Sequence, residues 1–170
     1  MEKTLNVYFD YICPYCYRGI TDLLDLLPGF PGLTVRWIPC EAHPRPEAAF
    51  IHSDLANQAM LAVADQKGDL VRFHRSVFHA HFVERRRIDD RQVLADLAAD
   101  CGASGHQVLT ALENGLYRQA ARDNNTLVWS TLGFEAVPCY QSGSLLLASR
   151  EDVTIPRKRL RAFLETVMAN

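Results

Sequence analysis

The chain has 170 residues, 48% of them apolar and 22% charged. That balance suits one globular domain with its own core and excludes a disordered tail, a collagen-like rod or a coiled coil. Lys and Arg number 18 against 20 Asp and Glu, for a formal net charge of -2, so no global positive field gathers nucleic acid or anionic lipid.

Leu5, Val7 and Phe9 alternate with Asn6 and Tyr8 in the period of a half-buried strand. From Pro14 the apolar positions Ile20, Leu23, Leu24 and Leu27 repeat at helical spacing until Pro28 and Gly29 end the pattern. Leu33, Val35 and Trp37 restore the strand period. Strand, helix, strand in so short a span is a βαβ unit with parallel strands and a right-handed crossover. Residues 53–132 show helical periods only. One helix is expected after a Ser53 cap and one around Leu70, Phe73, Val77 and Phe78. A third follows an Asp89–Gln92 capping box with Ile88 and Val93 as its staple, and a fourth follows Ser104 and Gln107. Residues 137–141 and 144–148 are short apolar runs around Ser142 and Gly143, a hairpin signal, and Pro156 opens a last helix using Leu160, Phe163, Leu164 and Val167. The apolar stretches fall far short of the roughly 20 residues that cross a bilayer. The N-terminus lacks an apolar block followed by a small-residue cleavage site, so a soluble, cytoplasmic protein is expected.

Five cysteines are an odd number for a disulfide scaffold, so catalysis or metal binding is the better reading. Cys13-Pro14-Tyr15-Cys16 stands where the first strand gives way to the first helix. A helix N-terminus offers unpaired N–H groups and a partial positive charge, both of which favour a thiolate. Thiols in such motifs titrate between roughly 3.5 and 7, against about 8.5 for free cysteine, and the thiolate is the attacking form. Cys16, one helical turn on, is close enough to close a disulfide or resolve a mixed one. Two alternatives stand beside this. Buried cysteine can simply fill a core, and Cys13, Cys16, Cys40 and His43 nominally make a Cys₃His zinc set, at a spacing longer than usual for a finger. Val137-Pro138 precedes the late hairpin, where a proline can bend the chain and free the preceding N–H and C=O for an extended peptide.

A strand-end Cys-Pro-Tyr-Cys, a βαβ unit, a helical insertion, Val-Pro before a hairpin and a last helix together resemble the thioredoxin-fold proteins of the DsbA family. Phe9-Asp10-Tyr11-Ile12-Cys13-Pro14-Tyr15-Cys16-Tyr17-Arg18-Gly19 is similar to a stretch that recurs in its FrnE-like branch. Trp37 to Pro44, Phe82 to Leu94 and Val137-Pro138-Cys139-Tyr140 are likewise similar to segments of that branch. The resemblance implies an α/β thioredoxin-like fold over residues 1–170, with an all-helical insertion at about 50–133. It implies a cis peptide before Pro138 facing Cys13 and Cys16, and thiol–disulfide exchange through that pair with substrate held at Val137 and Pro138. Partners are then disulfide- or dithiol-containing proteins or small thiols, with glutathione as a co-substrate, no bound cofactor or metal, and a homodimer left open. Cys40 and Cys139 depart from the branch, which more often has a large apolar residue and a threonine there. Cys139 is either a third thiol that tunes the pair or a small buried residue, and Cys101 belongs to the core. Asp10 either shuttles a proton or raises the thiol pKa by like-charge repulsion, or else serves as a helix-entry or turn residue. His74, His79 and His81 lack ligand spacing and read as surface or packing residues. Arg85, Arg86 and Arg87 are expected to end their helix, or to greet an acidic or glutathione-like ligand. The nearest rival enzyme is a glutathione-dependent isomerase or transferase of the kappa or 2-hydroxychromene-2-carboxylate isomerase type, which shares the fold but uses a serine where this chain has Cys13.

Overall fold

The computed structural model describes residues 2–170. Strand β1 (Lys3–Phe9) leads into helix α1 (Pro14–Leu26) and strand β2 (Leu33–Pro39). Five helices follow before the next strand: α2 (Asp54–Asp65), α3 (Leu70–Phe82), α4 (Arg91–Ala99), α5 (Gly105–Asn114) and α6 (Arg118–Asn125), the last running into a π-helical segment at Thr126–Thr131. Strands β3 (Cys139–Ser142) and β4 (Leu145–Ala148) form the hairpin, and α7 (Arg157–Ala169) ends the chain. The sheet order is β2-β1-β3-β4, with β1 parallel to β2 and antiparallel to β3.

Strand β1 is central, which explains one departure from its sequence pattern. Leu5, Val7 and Phe9 are buried as the alternation requires, yet Tyr8 and Asp10 are buried as well. Both faces are therefore covered at the strand's C-terminal end, on one side by Phe134 lying edge-on to Tyr8. That end is where β1, β2 and α1 converge: the Cys40 amide donates to the Phe9 carbonyl at 2.8 Å. Helix α1 buries Ile20, Leu23 and Leu24 and packs on α3 and α7.

The helical block has its own apolar filling, with Met60, Val63, Phe73, Val77, Leu94 and Leu112 buried. Its caps partly differ from expectation. Ser104 receives the Gln107 amide as anticipated. Helix α4 is capped by Asp90, whose carboxylate accepts from the Gln92 and Val93 amides, and not by Asp89. Asp89 is drawn off by a two-pronged pair with Arg87 at 2.6–2.8 Å. Ser53 sits at the start of α2 but makes no cap hydrogen bond; it lies beside Asp10. Helix α3 stops at Phe82, so Arg85, Arg86 and Arg87 lie in the loop beyond it, where Arg86 and Arg87 pair with Glu84 and Asp89. They take no part in lining the thiol cleft.

Candidate active site

Cys13 caps α1 with extended backbone (φ -86°, ψ 121°), and its sulfur accepts from the first turn as the oxygen of a serine cap would. Pro14 fills the next position, where its missing N–H leaves no orphan. The Cys16 amide donates to Cys13 Sγ at 3.4 Å. The hydrogen bond from the Cys16 thiol is the largest influence on Cys13 and holds its pKa below the ordinary cysteine value. The amides of Cys16 and Tyr15 add to that, while partial burial and the Asp10 charge oppose it. Cys16 is the reverse case. It is wholly buried, and burial, then its hydrogen bond to Cys13, hold its thiol well above the usual value. One helical turn thus separates an accessible sulfur stabilised as thiolate from a sheltered one kept protonated.

Asp10 lies behind the pair with no exposed surface. Its Oδ1 accepts the Ile12 amide at 3.1 Å, its Oδ2 accepts the Ala42 amide at 2.8 Å, and its own amide donates to Cys16 Sγ at 3.4 Å. Burial pushes the carboxyl above its ordinary value, with the Ala42 amide working hardest against it. Asp10 therefore shapes the helix entry and also places negative charge near Cys13, Cys16 and Cys40, raising all three.

Across from Cys13, the Val137 carbonyl lies 3.8 Å from its Sγ, and the Val137–Pro138 peptide is cis. Gly19 lets α1 approach this loop: a Cβ there would meet Tyr140 Oη at 2.6 Å and Pro138 Cγ at 2.9 Å. A cleft of about 470 Å³ opens between the two sides, lined by Cys13, Tyr15, His43, Trp129, Val137 and Arg150 among others. A neighbouring cavity of about 500 Å³ shares Glu135 and Arg150 with it but holds no thiol, so the smaller cleft is the one where sulfur chemistry can occur.

The remaining thiols are buried, Cys101 in the core and Cys40 and Cys139 bonded to carbonyls. Cys139 donates to the Ala136 carbonyl at 3.1 Å, and burial pushes its pKa up to about 11. Cys40 donates to the Phe9 carbonyl at 3.4 Å and is pushed well above its usual value by burial. The proposed Cys₃His zinc set does not assemble. His43 is exposed and pairs with Glu47 at 2.6 Å, and among the described residues no three His, Cys, Asp or Glu side chains converge as metal ligands. The physical reason is local: Cys40 follows the buried end of β2 and points to the Phe9 carbonyl, while His43 is exposed three residues on.

Two contacts from the helical block reach this site and leave little trace in sequence. His74 on α3 is fully buried, with Nδ1 2.8 Å from the Tyr11 hydroxyl, inside a cluster of Phe9, Trp37, Phe73 and Phe78. Burial drives its pKa down to about 3. Trp129, in the π-helical segment, donates from Nε1 to the Glu41 carbonyl at 2.8 Å. It thereby holds the 40–42 segment whose Ala42 amide meets Asp10. A lone tryptophan in a polar helical stretch is the signal that could have drawn attention to it.

This chain is 24% identical to the uncharacterized protein YwbO of Bacillus subtilis (strain 168), over 90% of this chain and 94% of that one. Among solved structures it is similar to the cytosolic disulfide reductase DsbM from Pseudomonas aeruginosa, with a TM-score of 0.76 and 24% identity over 98% of both chains. It is also similar to DsbM with GSH, at a TM-score of 0.72 and 22% identity over 98% of this chain and all of that one (100%). A probable DsbA oxidoreductase from Streptomyces coelicolor superposes at a TM-score of 0.80 with 14% identity, over 99% of this chain and 91% of that one. At these identities the structural likenesses speak for the fold. The sequence profile that matches residues 4–143 goes further: it spans β1, the Cys13 turn, the helical block and the Val137 loop, and by it the chain belongs to the DSBA-like thioredoxin domain family.

Proposed function

We propose that this protein is a thiol–disulfide oxidoreductase of FrnE-like type that works in the cytoplasm, exchanging disulfides through Cys13 and Cys16 with glutathione as its co-substrate. The observation that carries this reading is the asymmetry of the pair: Cys13 Sγ is stabilised as thiolate and opens on a cleft 3.8 Å from the Val137 carbonyl, while Cys16 is buried and held protonated. Support for the direction and the co-substrate comes from the likeness to a cytosolic disulfide reductase and to its structure with GSH.

In the reducing direction the Cys13 thiolate attacks one sulfur of a substrate disulfide, and the other sulfur leaves as thiolate and takes up a proton. The Cys16 thiol then loses its proton and attacks Cys13 Sγ, releasing the second substrate sulfur as thiolate and closing the Cys13–Cys16 disulfide. Asp10, whose charge acts on Cys16, is the carboxylate to take that proton, since burial raises its affinity for one. Two glutathione thiols then reopen the enzyme disulfide and leave as oxidised glutathione, so that one disulfide is reduced for each one formed. The Val137 carbonyl, which faces Cys13 Sγ, would accept from an extended substrate backbone laid beside Cys13.

The test is turnover of a disulfide peptide with glutathione. Cys13→Ser should abolish it, and Cys16→Ser should accumulate Cys13-linked mixed disulfides visible by mass spectrometry. Full activity in Cys13→Ser refutes the mechanism. Isomerase activity that survives Cys16→Ser would favour the glutathione-dependent isomerase reading instead.

A further inference from the structure

A separate cavity, of about 260 Å³, lies among the end of β2, α2 and α6, and no cysteine lines it. Neighbouring residues face the two sites: Ala42 lines the thiol cleft and Glu41 lines this cavity. Its polar lining is unusual. Glu41 is 7% exposed and Gln58 3% exposed, and Glu41 Oε1, Asp54 Oδ1 and Gln58 Oε1 are buried acceptors without hydrogen-bond partners. Folded proteins seldom leave such oxygens unpaired, because each forfeits its hydration for nothing in return. Three of them on residues that line one cavity point to donors supplied by something bound there.

Glu41 is also held in place. Its amide donates to Asn125 Oδ1 at 2.7 Å, and Asn125 Nδ2 donates back to Glu41 Oε2 at 2.9 Å. One carboxylate oxygen is thereby occupied and the other left free at a set position. Arg45, Arg118 and Arg122 also line the cavity. Arg45 reaches Asp54 Oδ2 only at 3.5 Å, and among the described residues neither Arg118 nor Arg122 forms an ion pair. Unpaired acceptors and unpaired guanidinium groups lining one cavity complement a ligand with a compact cluster of N–H donors close to a carboxylate. The volume is small for such a site, below the roughly 300–1,000 Å³ of drug-sized ligands.

We propose that this cavity binds a free α-amino acid as its zwitterion, with the ammonium on Glu41, Asp54 and Gln58 and the carboxylate on Arg118 and Arg122. The site is separate from the thiol chemistry and does not depend on it.

Calorimetric titration of the full chain with glycine, L-alanine, L-serine and L-glutamate tests this, with ammonium chloride and sodium acetate as half-ligand controls. At least one amino acid should bind saturably at concentrations where neither control does. Gln58→Leu and Arg122→Ala should each weaken that binding about tenfold or more, the loss expected for one charge-assisted hydrogen bond. Gln58→Leu should leave the melting temperature of the free protein unchanged or higher, because it removes a buried unpaired carboxamide; Arg122 is exposed, so its substitution keeps the test valid should Gln58→Leu fold poorly. No saturable binding of any of the four amino acids, binding indifferent to both substitutions, or equal binding of ammonium alone would each overturn the proposal.

Discussion

Lowering the pH should weaken the fold through one identifiable group, His74. Its imidazole is wholly buried and its pKa is driven from 6.5 to about 3, so the unfolded chain takes up a proton that the folded chain refuses. The sign follows directly. Stability from this group is intact above the unfolded pKa and is lost as pH falls toward the folded one, approaching about 1.4 kcal/mol per pH unit. Between pH 7 and pH 5 the two pKa values give a loss of ~2 kcal/mol, and by pH 4 of ~3 kcal/mol. Urea unfolding of the wild type and of His74→Gln at both pH values isolates it. Glutamine keeps a hydrogen-bonding group for the Tyr11 hydroxyl and cannot titrate. Asp10 and Glu41, whose raised pKa values act in the opposite sense, are present in both proteins and cancel. The stability gap between wild type and variant should change by ~2 kcal/mol over this pH interval. Parallel losses in the two proteins would show that His74 is not held neutral against the Tyr11 hydroxyl.

Asp10→Asn should lower the Cys13 pKa further, since the carboxylate raises it, and the pH profile of Cys13 alkylation by iodoacetamide should shift to the acid side; an unmoved profile would remove Asp10 from the site's electrostatics. Gly19→Ala should cost about 1–3 kcal/mol of stability by overpacking, because the new methyl meets Tyr140 Oη and Pro138 Cγ. It should also impair peptide turnover by displacing the Val137 loop, so wild-type melting temperature and turnover would contradict the packing described. Trp129→Phe strands the Glu41 carbonyl, an expected loss of about 1–3 kcal/mol. Denaturant midpoints read that loss, together with faster hydrogen exchange at the Ala42 amide.

The sites of correct and failed expectation have different physical origins. The turn that carries Cys13 and Cys16 was legible because a change of period from strand to helix marks a helix start. The Ser104 cap was legible for the same local reason. The Asp89 cap was not, because Asp89 and Asp90 are equal candidates until Arg87 claims one of them. Helix α6 escaped notice because only Ala121 in it is buried, so it has no apolar period to read.

What the amino-acid order determines by itself is local: the Cys-Pro-Tyr-Cys turn, the strand–helix–strand beginning, the helical middle and the final hairpin and helix all follow from periodicity and caps over a few residues. The tertiary structure decides which groups stand in low dielectric and against what. Asp10 is buried behind the sulfurs where the segment after β2 brings the Ala42 amide to it, His74 reaches Tyr11 from 63 positions away, and Glu41 and Gln58 keep unpaired oxygens where α2 and α6 meet the end of β2. Burial and long-range approach are properties of packing, and no window along the chain contains them.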